Sequence, residues 1–86
     1  MNELYYFKLK NCPYCIRANN YLDELLQEDR YKSIQIRHID ERVESDLANS
    51  YDYYLVPSFF LGNKKLFEGI MTKEDVRIVL EQALKK

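Results

Sequence analysis

Residues 3–15 read ELYYFKLKNCPYC and carry the strongest structural signal of this 86-residue sequence. Residues 4–7 are apolar and aromatic and too few to form a helix, so they predict a strand. Pro13 follows closely, and proline is favoured at the first position of a helix. Beyond it, apolar side chains recur at helical spacing and predict an amphipathic helix that ends near Glu28: Cys15, Ala18, Leu22, Leu25 and Leu26. A strand therefore leads directly into a helix, with Cys12 and Cys15 at the junction.

The middle of the chain predicts a second strand and a second helix. Residues 33–39 alternate Ile34 and Ile36 with the polar Gln35 and Arg37, which is the two-residue period of a half-buried strand. Asp40 is expected to cap the following helix. That helix would bury a thin stripe of side chains: Val43, Leu47 and Tyr51.

The last third of the chain predicts a hairpin and a final helix. Residues 58–61 and 64–67 have strand character and flank Gly62-Asn63, a composition typical of a short hairpin turn. Thr72 and Asp75 have the spacing of a capping box. The helix that they begin has an apolar face at helical spacing: Val76, Val79, Leu80, Ala83 and Leu84.

The predicted order is strand, helix, strand, helix, strand, strand, helix. Strands joined through a helix lie parallel with a right-handed crossover, whereas the strands of a tight hairpin lie antiparallel. The expected fold class is therefore α/β, with a four-stranded mixed sheet covered by three helices. Hydrophobic residues make up 47% of the chain, enough to exclude a disordered protein, and we expect one domain over residues 1–86.

The charge composition excludes several classes of partner. Thirteen Lys and Arg residues balance fourteen Asp and Glu residues, so we expect neither nucleic acid nor an anionic membrane as a partner. No basic stretch precedes an apolar run at the amino terminus, and no segment approaches the roughly 20 apolar residues that span a bilayer. We therefore expect a cytoplasmic protein. Because no long exposed apolar stripe is visible, we also expect a monomer.

The two cysteines predict thiol chemistry. Secreted disulfide scaffolds of this size usually carry four or more cysteines, whereas this chain has only Cys12 and Cys15. A cysteine at the start of a helix faces free N–H groups and the positive end of the helix dipole, which favour the thiolate. We therefore predict that Cys12 is the nucleophile and that Cys15, one turn inside the helix, is the resolving cysteine.

Neighbouring residues are expected to support this chemistry. Pro13 stiffens the turn that enters the helix, and Tyr14 places an aromatic ring and a hydroxyl beside the sulfurs. Of the upstream residues Lys8 and Lys10, Lys10 is expected to add positive potential that lowers the pKa of the nucleophile. The competing interpretation is that both lysines simply face solvent.

Two other interpretations of the cysteine pair are weaker. A structural disulfide closing so small a loop contributes only roughly 2 kcal/mol, and reducing cytosol usually keeps it open. A structural zinc site needs four ligands, and the chain adds to its two cysteines a single histidine, His38, in a predicted strand. That histidine is expected to pack or hydrogen-bond locally. We expect no metal site and no tightly bound cofactor.

The motif CPYC at residues 12–15, followed by Arg17-Ala18 and later by Val56-Pro57, resembles the glutaredoxins over nearly the whole chain. The resemblance implies a thioredoxin-like fold and dithiol chemistry that reduces protein or glutathione mixed disulfides. It implies glutathione as the co-substrate that supplies electrons. It also implies that Pro57 is cis and that Val56 offers its backbone N–H and C=O to the cysteine part of a substrate.

The sequence departs from the glutaredoxin pattern in two places. Many glutaredoxins carry a lysine or arginine three residues before the first cysteine, where this chain has Leu9. Many also carry a Gly-Gly pair before a polar and acidic stretch that holds the γ-glutamyl end of glutathione, whereas residues 67–75 here read FEGIMTKED. Thr72 is the residue of this stretch expected to contact glutathione, although helix capping also accounts for it.

Two alternatives concern the partner of the cysteines. A thioredoxin reductase could supply the electrons, with Ile70 and Met71 forming part of an apolar protein-docking surface around the cysteines. These two residues could instead pack beneath the strand-to-helix turn, and the sequence does not separate the two interpretations. The cysteines could instead hold an iron–sulfur cluster between two chains, with glutathione completing the thiolate ligands. Pro13 and Tyr14 argue against the cluster, because cluster-binding relatives more often have a smaller residue after the cysteine or only one cysteine.

Overall fold

The structure is a computed structural model that describes residues 3–85. Its strands are β1 (Glu3–Lys8), β2 (Gln35–Asp40), β3 (Ser58–Leu61) and β4 (Lys64–Glu68), and its α-helices are α1 (Pro13–Leu25), α2 (Ser45–Asn49) and α3 (Lys73–Leu84). A short 3₁₀ turn, Asp29–Tyr31, separates α1 from β2. The order of strands and helices is the predicted one. Within residues 3–85, no helix combines the length and the apolar character needed to cross a membrane.

The four strands form one mixed sheet in the order β2-β1-β3-β4. β1 lies parallel to β2, and both the β1–β3 and the β3–β4 pairs are antiparallel. The hairpin between β3 and β4 turns at Gly62-Asn63, where Gly62 has a φ of 62°. Positive φ at the first central residue is what two-residue hairpin turns require. The predicted α/β fold class, with its four-stranded mixed sheet and three helices, is confirmed.

Apolar side chains along β1 divide between the two faces of the sheet. Leu4 and Tyr6 lie in the main core with residues of α1 and α3, and the Tyr6 ring stacks on Phe59 with ring centres 4.5 Å apart. Phe7 lies in a smaller, largely aromatic core on the other face, where it contacts Phe60. Burial on both faces fixes the register of β1, because a slip of one residue would exchange the two faces. The start of α1 is thereby positioned against the edge of the sheet.

α1 ends at Leu25, before the predicted end near Glu28. Gln27 and Glu28 each donate a backbone hydrogen bond only three residues back, so the last turn tightens. The Glu28 carboxylate then pairs with Arg77 of α3 at 3.1 and 3.2 Å. The following 3₁₀ turn buries Tyr31. The helix thus ends before the predicted residue, and the chain turns to bury Tyr31 instead of continuing the helical pattern.

The prediction for the second helix is wrong in two respects. Asp40 is the last residue of β2, and its carboxylate accepts a 2.9 Å hydrogen bond from the N–H of Arg42 in the next turn instead of capping a helix. α2 begins only at Ser45, and Val43, expected on the buried stripe, is 79% exposed. An aspartate that bonds the backbone two residues on favours a turn over a helix. Ala48 is the buried residue of the shortened helix.

The remaining boundaries lie close to the predicted ones. β2 runs over Gln35–Asp40 and not over residues 33–39, because Ile34 still donates its N–H to Tyr31 of the preceding turn at 3.1 Å. α3 has the predicted capping box between Thr72 and Asp75. Its apolar face is also the predicted one, except that the last of these residues is only half-buried: Val76, Val79, Leu80, Ala83 and Leu84.

Candidate active site

The end of β1 and the start of α1 bring the two cysteines to one edge of the sheet. Asn11 has a φ of 70° and reverses the chain between strand and helix. Cys12 is the N-cap of α1, with an extended backbone (φ −82°, ψ 120°), and Pro13 follows in the first turn. The carbonyl of Cys12 accepts a helical hydrogen bond from the N–H of Ile16 at 2.9 Å. Cys12 thus lies where the sequence predicts it, at the start of the first helix.

Cys12 has the more acidic thiol of the two. Burial opposes its ionisation, but the N–H groups of Cys15 and Tyr14 and the thiol of Cys15 favour the thiolate, and together they hold the pKa of Cys12 below its ordinary value. The N–H donors belong to the first turn of α1, where a helix leaves its N–H groups without backbone partners. A thiolate on Cys12 is therefore stabilised by the start of the helix.

Cys15 has the opposite environment. It is only 1% exposed. Burial is the main cause that raises the pKa of Cys15 to about 12, even though the N–H of Leu9 donates to its sulfur at 3.5 Å and Lys8 lies nearby. The negative charge of Cys12 raises the same pKa further. Cys15 is therefore a protonated thiol at neutral pH.

Tyr6 anchors this part of α1 from beneath. Its buried hydroxyl donates to Oδ1 of Asn19 at 2.7 Å and lies 3.3 Å from the carbonyl oxygen of Cys15. Burial, and then the two cysteines, raise the pKa of Tyr6, so its hydroxyl keeps its proton. Sequence reasoning missed Tyr6 as a site residue. The signal available was its position two residues after Leu4, on the face of β1 that packs against α1.

Lys8 is the cation that acts on Cys15. Its Nζ lies 3.0 Å from Nδ1 of His38 in the neighbouring strand. Burial and then Lys8 lower the pKa of His38, so a neutral imidazole accepts the hydrogen bond from the ammonium group. His38 is thus hydrogen-bonded locally, as expected. Lys10 is exposed, and its effect on the nucleophile stays a prediction.

The residues between the two cysteines face the solvent. Pro13 and Tyr14 are both exposed and follow Cys12 directly in the chain. Their supporting roles stay predictions. In the part of the chain that the structure describes, no group of three or more His, Cys, Asp or Glu residues could hold a metal ion.

The segment before β3 lies at the same edge of the sheet as Cys12. The Val56–Pro57 peptide bond is cis, in agreement with the resemblance. Because β1 and β3 are antiparallel and Phe7 pairs with Ser58, the start of β3 lies beside the end of β1. No hydrogen bond within residues 3–85 uses the N–H or C=O of Val56. Val56 therefore has a backbone donor and an acceptor available near the cysteine loop.

The connection between β4 and α3 serves mainly the fold itself. The hydroxyl of Thr72 accepts a hydrogen bond from the N–H of Asp75, and the Asp75 carboxylate accepts one from the N–H of Thr72, so both side chains cap α3. A contact of Thr72 with glutathione stays a prediction. Met71 is 5% exposed and packs in the main core, so for this residue the packing interpretation is confirmed and the docking interpretation is wrong. Ile70, which precedes it, is 64% exposed. Adjacent residues of this turn point in opposite directions.

Several solved structures resemble almost the whole chain. A malarial protein superposes with a TM-score of 0.75 at 20% identity, covering 98% of this chain and 98% of its own. A thioredoxin-like protein from Clostridium perfringens is 27% identical, with a TM-score of 0.68 over 96% of this chain and 71% of its own. Oxidised thioredoxin O1 from Arabidopsis thaliana is 19% identical, with a TM-score of 0.68 over 96% and 78% of the two chains. The chain has a thioredoxin-like fold.

Sequence comparisons give no narrower assignment. No protein-family model matches the chain, and no curated protein matches it significantly. The thioredoxin-like fold expected from the sequence is confirmed by the solved structures. The likeness to glutaredoxins in particular rests on the CPYC motif and on Val56-Pro57.

Proposed function

We propose that this protein is a glutaredoxin-like thiol-disulfide oxidoreductase that reduces protein or glutathione mixed disulfides through Cys12 and Cys15. The observation that supports it most is the difference in acidity between the two thiols, because the start of α1 lowers the pKa of Cys12 while burial raises that of Cys15 to about 12. A dithiol enzyme needs one thiolate to attack and one thiol that stays protonated until it is required. The thioredoxin-like fold supports the same class of chemistry.

The reaction begins with the thiolate of Cys12. Its sulfur attacks one sulfur of the substrate disulfide, the substrate S–S bond breaks, and the first substrate thiolate leaves and takes a proton from solvent. A mixed disulfide now joins Cys12 to the other half of the substrate. Cys15 then loses its proton and attacks the sulfur of Cys12, which closes the Cys12–Cys15 disulfide and expels the second thiolate. Two electrons have passed from the cysteine pair to the substrate.

Formation of the mixed disulfide prepares Cys15 for its attack. In the dithiol state, Cys12 raises the pKa of Cys15 through the contact between the sulfurs and through its charge. The charge disappears once the sulfur of Cys12 belongs to a disulfide, whereas the N–H of Leu9 still donates to Cys15. The pKa of Cys15 therefore falls after the first step, when its thiolate is needed.

Val56 is proposed to bind the backbone of the substrate. Its N–H and C=O have no partner within residues 3–85 and lie near the cysteine loop. An extended segment beside the substrate cysteine can pair with both groups, as peptides do when they add a strand to a sheet. Exposed Pro13 and Tyr14 border the same space.

Glutathione is proposed as the co-substrate that reduces the Cys12–Cys15 disulfide, with a thioredoxin reductase as the alternative donor. Exposed Ile70 favours a protein donor, because it adds apolar surface to this edge of the molecule. NADPH oxidation in two parallel assays separates the donors, one with glutathione and glutathione reductase and the other with thioredoxin reductase. Turnover only in the first assay would support glutathione and a working site near Thr72. Turnover only in the second would support the reductase.

The Cys15→Ser variant tests the proposed roles of the two cysteines. Without its resolving thiol, the protein should accumulate a mixed disulfide on Cys12 when mixed with a glutathionylated peptide, and peptide mapping by mass spectrometry locates the adduct. Cys12→Ser is the matched control and should form no adduct and have no activity. An adduct on another residue, or full activity of Cys12→Ser, would contradict the proposal.

A further inference from the structure

Glu68 reaches from the end of β4 to the loop that precedes Pro57. Its side chain is only 17% exposed. One carboxylate oxygen, Oε2, accepts hydrogen bonds from the N–H of Tyr54 at 2.5 Å and from the N–H of Leu55 at 2.8 Å. The other oxygen, Oε1, accepts a hydrogen bond from Nζ of Lys65 at 2.6 Å. Both oxygens are used, and two of the three bonds hold the backbone of the loop.

The same loop is held at two further points. The hydroxyl of Ser58 donates to the carbonyl of Leu55. The N–H of Gly69 donates to the carbonyl of Pro57 at 2.8 Å. Between these anchors lies Val56, whose N–H and C=O have no partner among residues 3–85. The backbone is therefore fixed on both sides of the residue proposed to receive the substrate.

Apolar packing does little to hold Tyr54 and Leu55, although Pro57 at the end of the loop is buried, so the carboxylate has a larger role at these two residues. Tyr54 is 88% exposed and Leu55 59% exposed, so few buried contacts restrain their backbone. Hydrogen bonds that a charged acceptor makes to N–H groups are stronger than those of a neutral acceptor. Lys65, and then the N–H of Tyr54, lower the pKa of Glu68, so the charged form is the one present at neutral pH.

We propose that Glu68 is a positioning residue for disulfide substrates: its carboxylate holds the backbone of Tyr54 and Leu55 and so keeps Val56 in the conformation that receives the substrate beside Cys12. This inference rests on the proposed oxidoreductase function. Glu68 acts on binding through Val56 and not on the acidity of the sulfur. Its loss should therefore raise the substrate concentration needed for half-maximal rate and leave the maximal rate nearly unchanged.

Single-turnover kinetics of the pre-reduced protein test the proposal without any electron donor. The probe is a peptide pair joined by a disulfide and quenched until the disulfide is cleaved. For Glu68→Ala we expect the half-saturating concentration to rise about tenfold, with a maximal rate within about twofold of wild type. For Glu68→Gln, which keeps a neutral acceptor for the two N–H groups, we expect a rise of about threefold. A half-saturating concentration within twofold of wild type in both variants would overturn the proposal. If Glu68→Ala fails to fold, a half-saturating concentration of Glu68→Gln within twofold of wild type overturns it.

Two control variants separate positioning from a simple ion pair. Lys65→Met removes the partner of Glu68 but leaves both backbone hydrogen bonds, so half-saturation should stay within about twofold of wild type. Glu24→Gln removes an exposed carboxylate that also pairs with a lysine, Lys73 at 2.9 Å, and should have no effect. If Lys65→Met weakens binding as much as Glu68→Ala does, the ion pair is what matters and the positioning role is wrong.

A second readout shows whether the sulfur itself is affected. Iodoacetamide reacts with Cys12 without needing the backbone of Val56, so its rate constant should be the same in wild type and in Glu68→Ala. If the alkylation rate constant of Glu68→Ala falls together with its substrate binding, the whole site is disturbed and the positioning role of Glu68 is wrong. A wild-type protein that does not cleave the peptide disulfide contradicts the proposed function, whereas active variants with wild-type half-saturation contradict the role of Glu68 alone.

Discussion

The hydroxyl of Tyr6 donates a 2.7 Å hydrogen bond to Oδ1 of Asn19, which joins the middle of β1 to α1 just beyond Cys15. The same hydroxyl lies 3.3 Å from the carbonyl oxygen of Cys15, and the ring stacks on Phe59 in the main core. The helix that carries the cysteines is therefore held to the sheet by a polar contact in addition to apolar packing. One side chain links the core to the site of sulfur chemistry.

Replacing Tyr6 by phenylalanine removes this hydroxyl and keeps the ring. We expect the free energy of unfolding to fall by about 1 kcal/mol, because a buried hydrogen bond is lost and Asn19 loses its donor. Urea unfolding of the reduced protein measures the change. Tyr54→Phe, at an exposed position, is the control and should change the free energy by less than about 0.5 kcal/mol. Equal losses in the two variants would contradict the anchoring role of Tyr6.

The parts of the fold that the sequence predicts correctly depend on neighbours within a few residues. Pro13 marks the start of α1 and thereby places Cys12 at the N-cap. Gly62 marks the hairpin turn, and Thr72 with Asp75 marks the start of α3. Each of these signals is local, so it can be recognised before any tertiary contact is known.

The parts that the sequence does not predict depend on contacts between distant residues. Nothing near Glu68 indicates that its carboxylate binds the N–H groups of Tyr54 and Leu55, which precede it by more than a dozen residues. Ile70 and Met71 are both apolar, and only the packed structure shows that the second is buried and the first is exposed. Local sequence signals therefore place the cysteines at the start of α1, but they do not place Glu68 against the loop that precedes Pro57.

Substituting Gly69 by alanine tests how closely the loop at residues 54–56 packs on the end of β4. Gly69 has a φ of 96°, and a Cβ there would lie 3.3 Å from Cδ1 of Leu55. We expect Gly69→Ala to lower the free energy of unfolding by roughly 1–2 kcal/mol from backbone strain, with a further loss because Leu55 must move. Chemical denaturation measures the change.

Gly62→Ala provides the matched control for Gly69→Ala. Gly62 also has a positive φ, 62°, but a Cβ there would meet nothing within 4 Å. It should therefore lose less stability than Gly69→Ala, because a φ of 62° lies within the left-handed region that alanine can adopt and no neighbour is displaced. A loss of stability at Gly62 as large as that at Gly69 would show that neither the larger φ of Gly69 nor its contact with Leu55 adds to the loss.

The hydrogen bonds of Glu81 in α3 predict that the folded protein loses stability in acid. Its carboxylate accepts hydrogen bonds from Arg30 at 2.5 and 2.6 Å and from the hydroxyl of Tyr31 at 2.6 Å. Arg30 and then Tyr31 lower the pKa of Glu81 from its ordinary 4.5 to about 2. A carboxylate with a lowered pKa in the folded protein stabilises the fold above its unfolded pKa, and that contribution is lost as the pH falls through the folded pKa.

We therefore expect Glu81→Gln to be less stable than wild type at pH 7, with the difference shrinking between about pH 4.5 and pH 2. Thermal unfolding of both proteins across this range measures it. Asp29→Asn is the control, because Asp29 pairs with Lys32 at 3.2 Å but is 98% exposed. This control should differ little from wild type at any pH. A Glu81→Gln difference that is the same at pH 2 and pH 7 would contradict the lowered pKa.

The unequal acidity of the two cysteines predicts how alkylation depends on pH. Only the thiolate reacts with iodoacetamide, so the rate constant at each sulfur rises with pH and levels off above its pKa. Burial raises the pKa of Cys12, but N–H groups and the Cys15 thiol lower it below its ordinary 9.0. The midpoint for Cys12, the pH at which its alkylation rate is half the maximal rate, should therefore lie below 9.0. Cys15, which is buried and has a pKa of about 12 while Cys12 is unmodified, should be alkylated more slowly than Cys12 at that pH. Mass spectrometry of the alkylated protein follows the two sites separately.

Two substitutions of Cys15 separate the donors that stabilise the Cys12 thiolate. Cys15→Ala removes the thiol donor and leaves the backbone N–H, so the midpoint for Cys12 should rise, whereas Cys15→Ser keeps a hydroxyl donor and should retain a lower midpoint. Midpoints equal to that of wild type in both variants would mean that the backbone N–H groups of the first helical turn stabilise the thiolate without the Cys15 side chain. A wild-type midpoint at 9.0 would remove the basis for assigning Cys12 as the nucleophile, because neither the helix start nor Cys15 would then stabilise its charge.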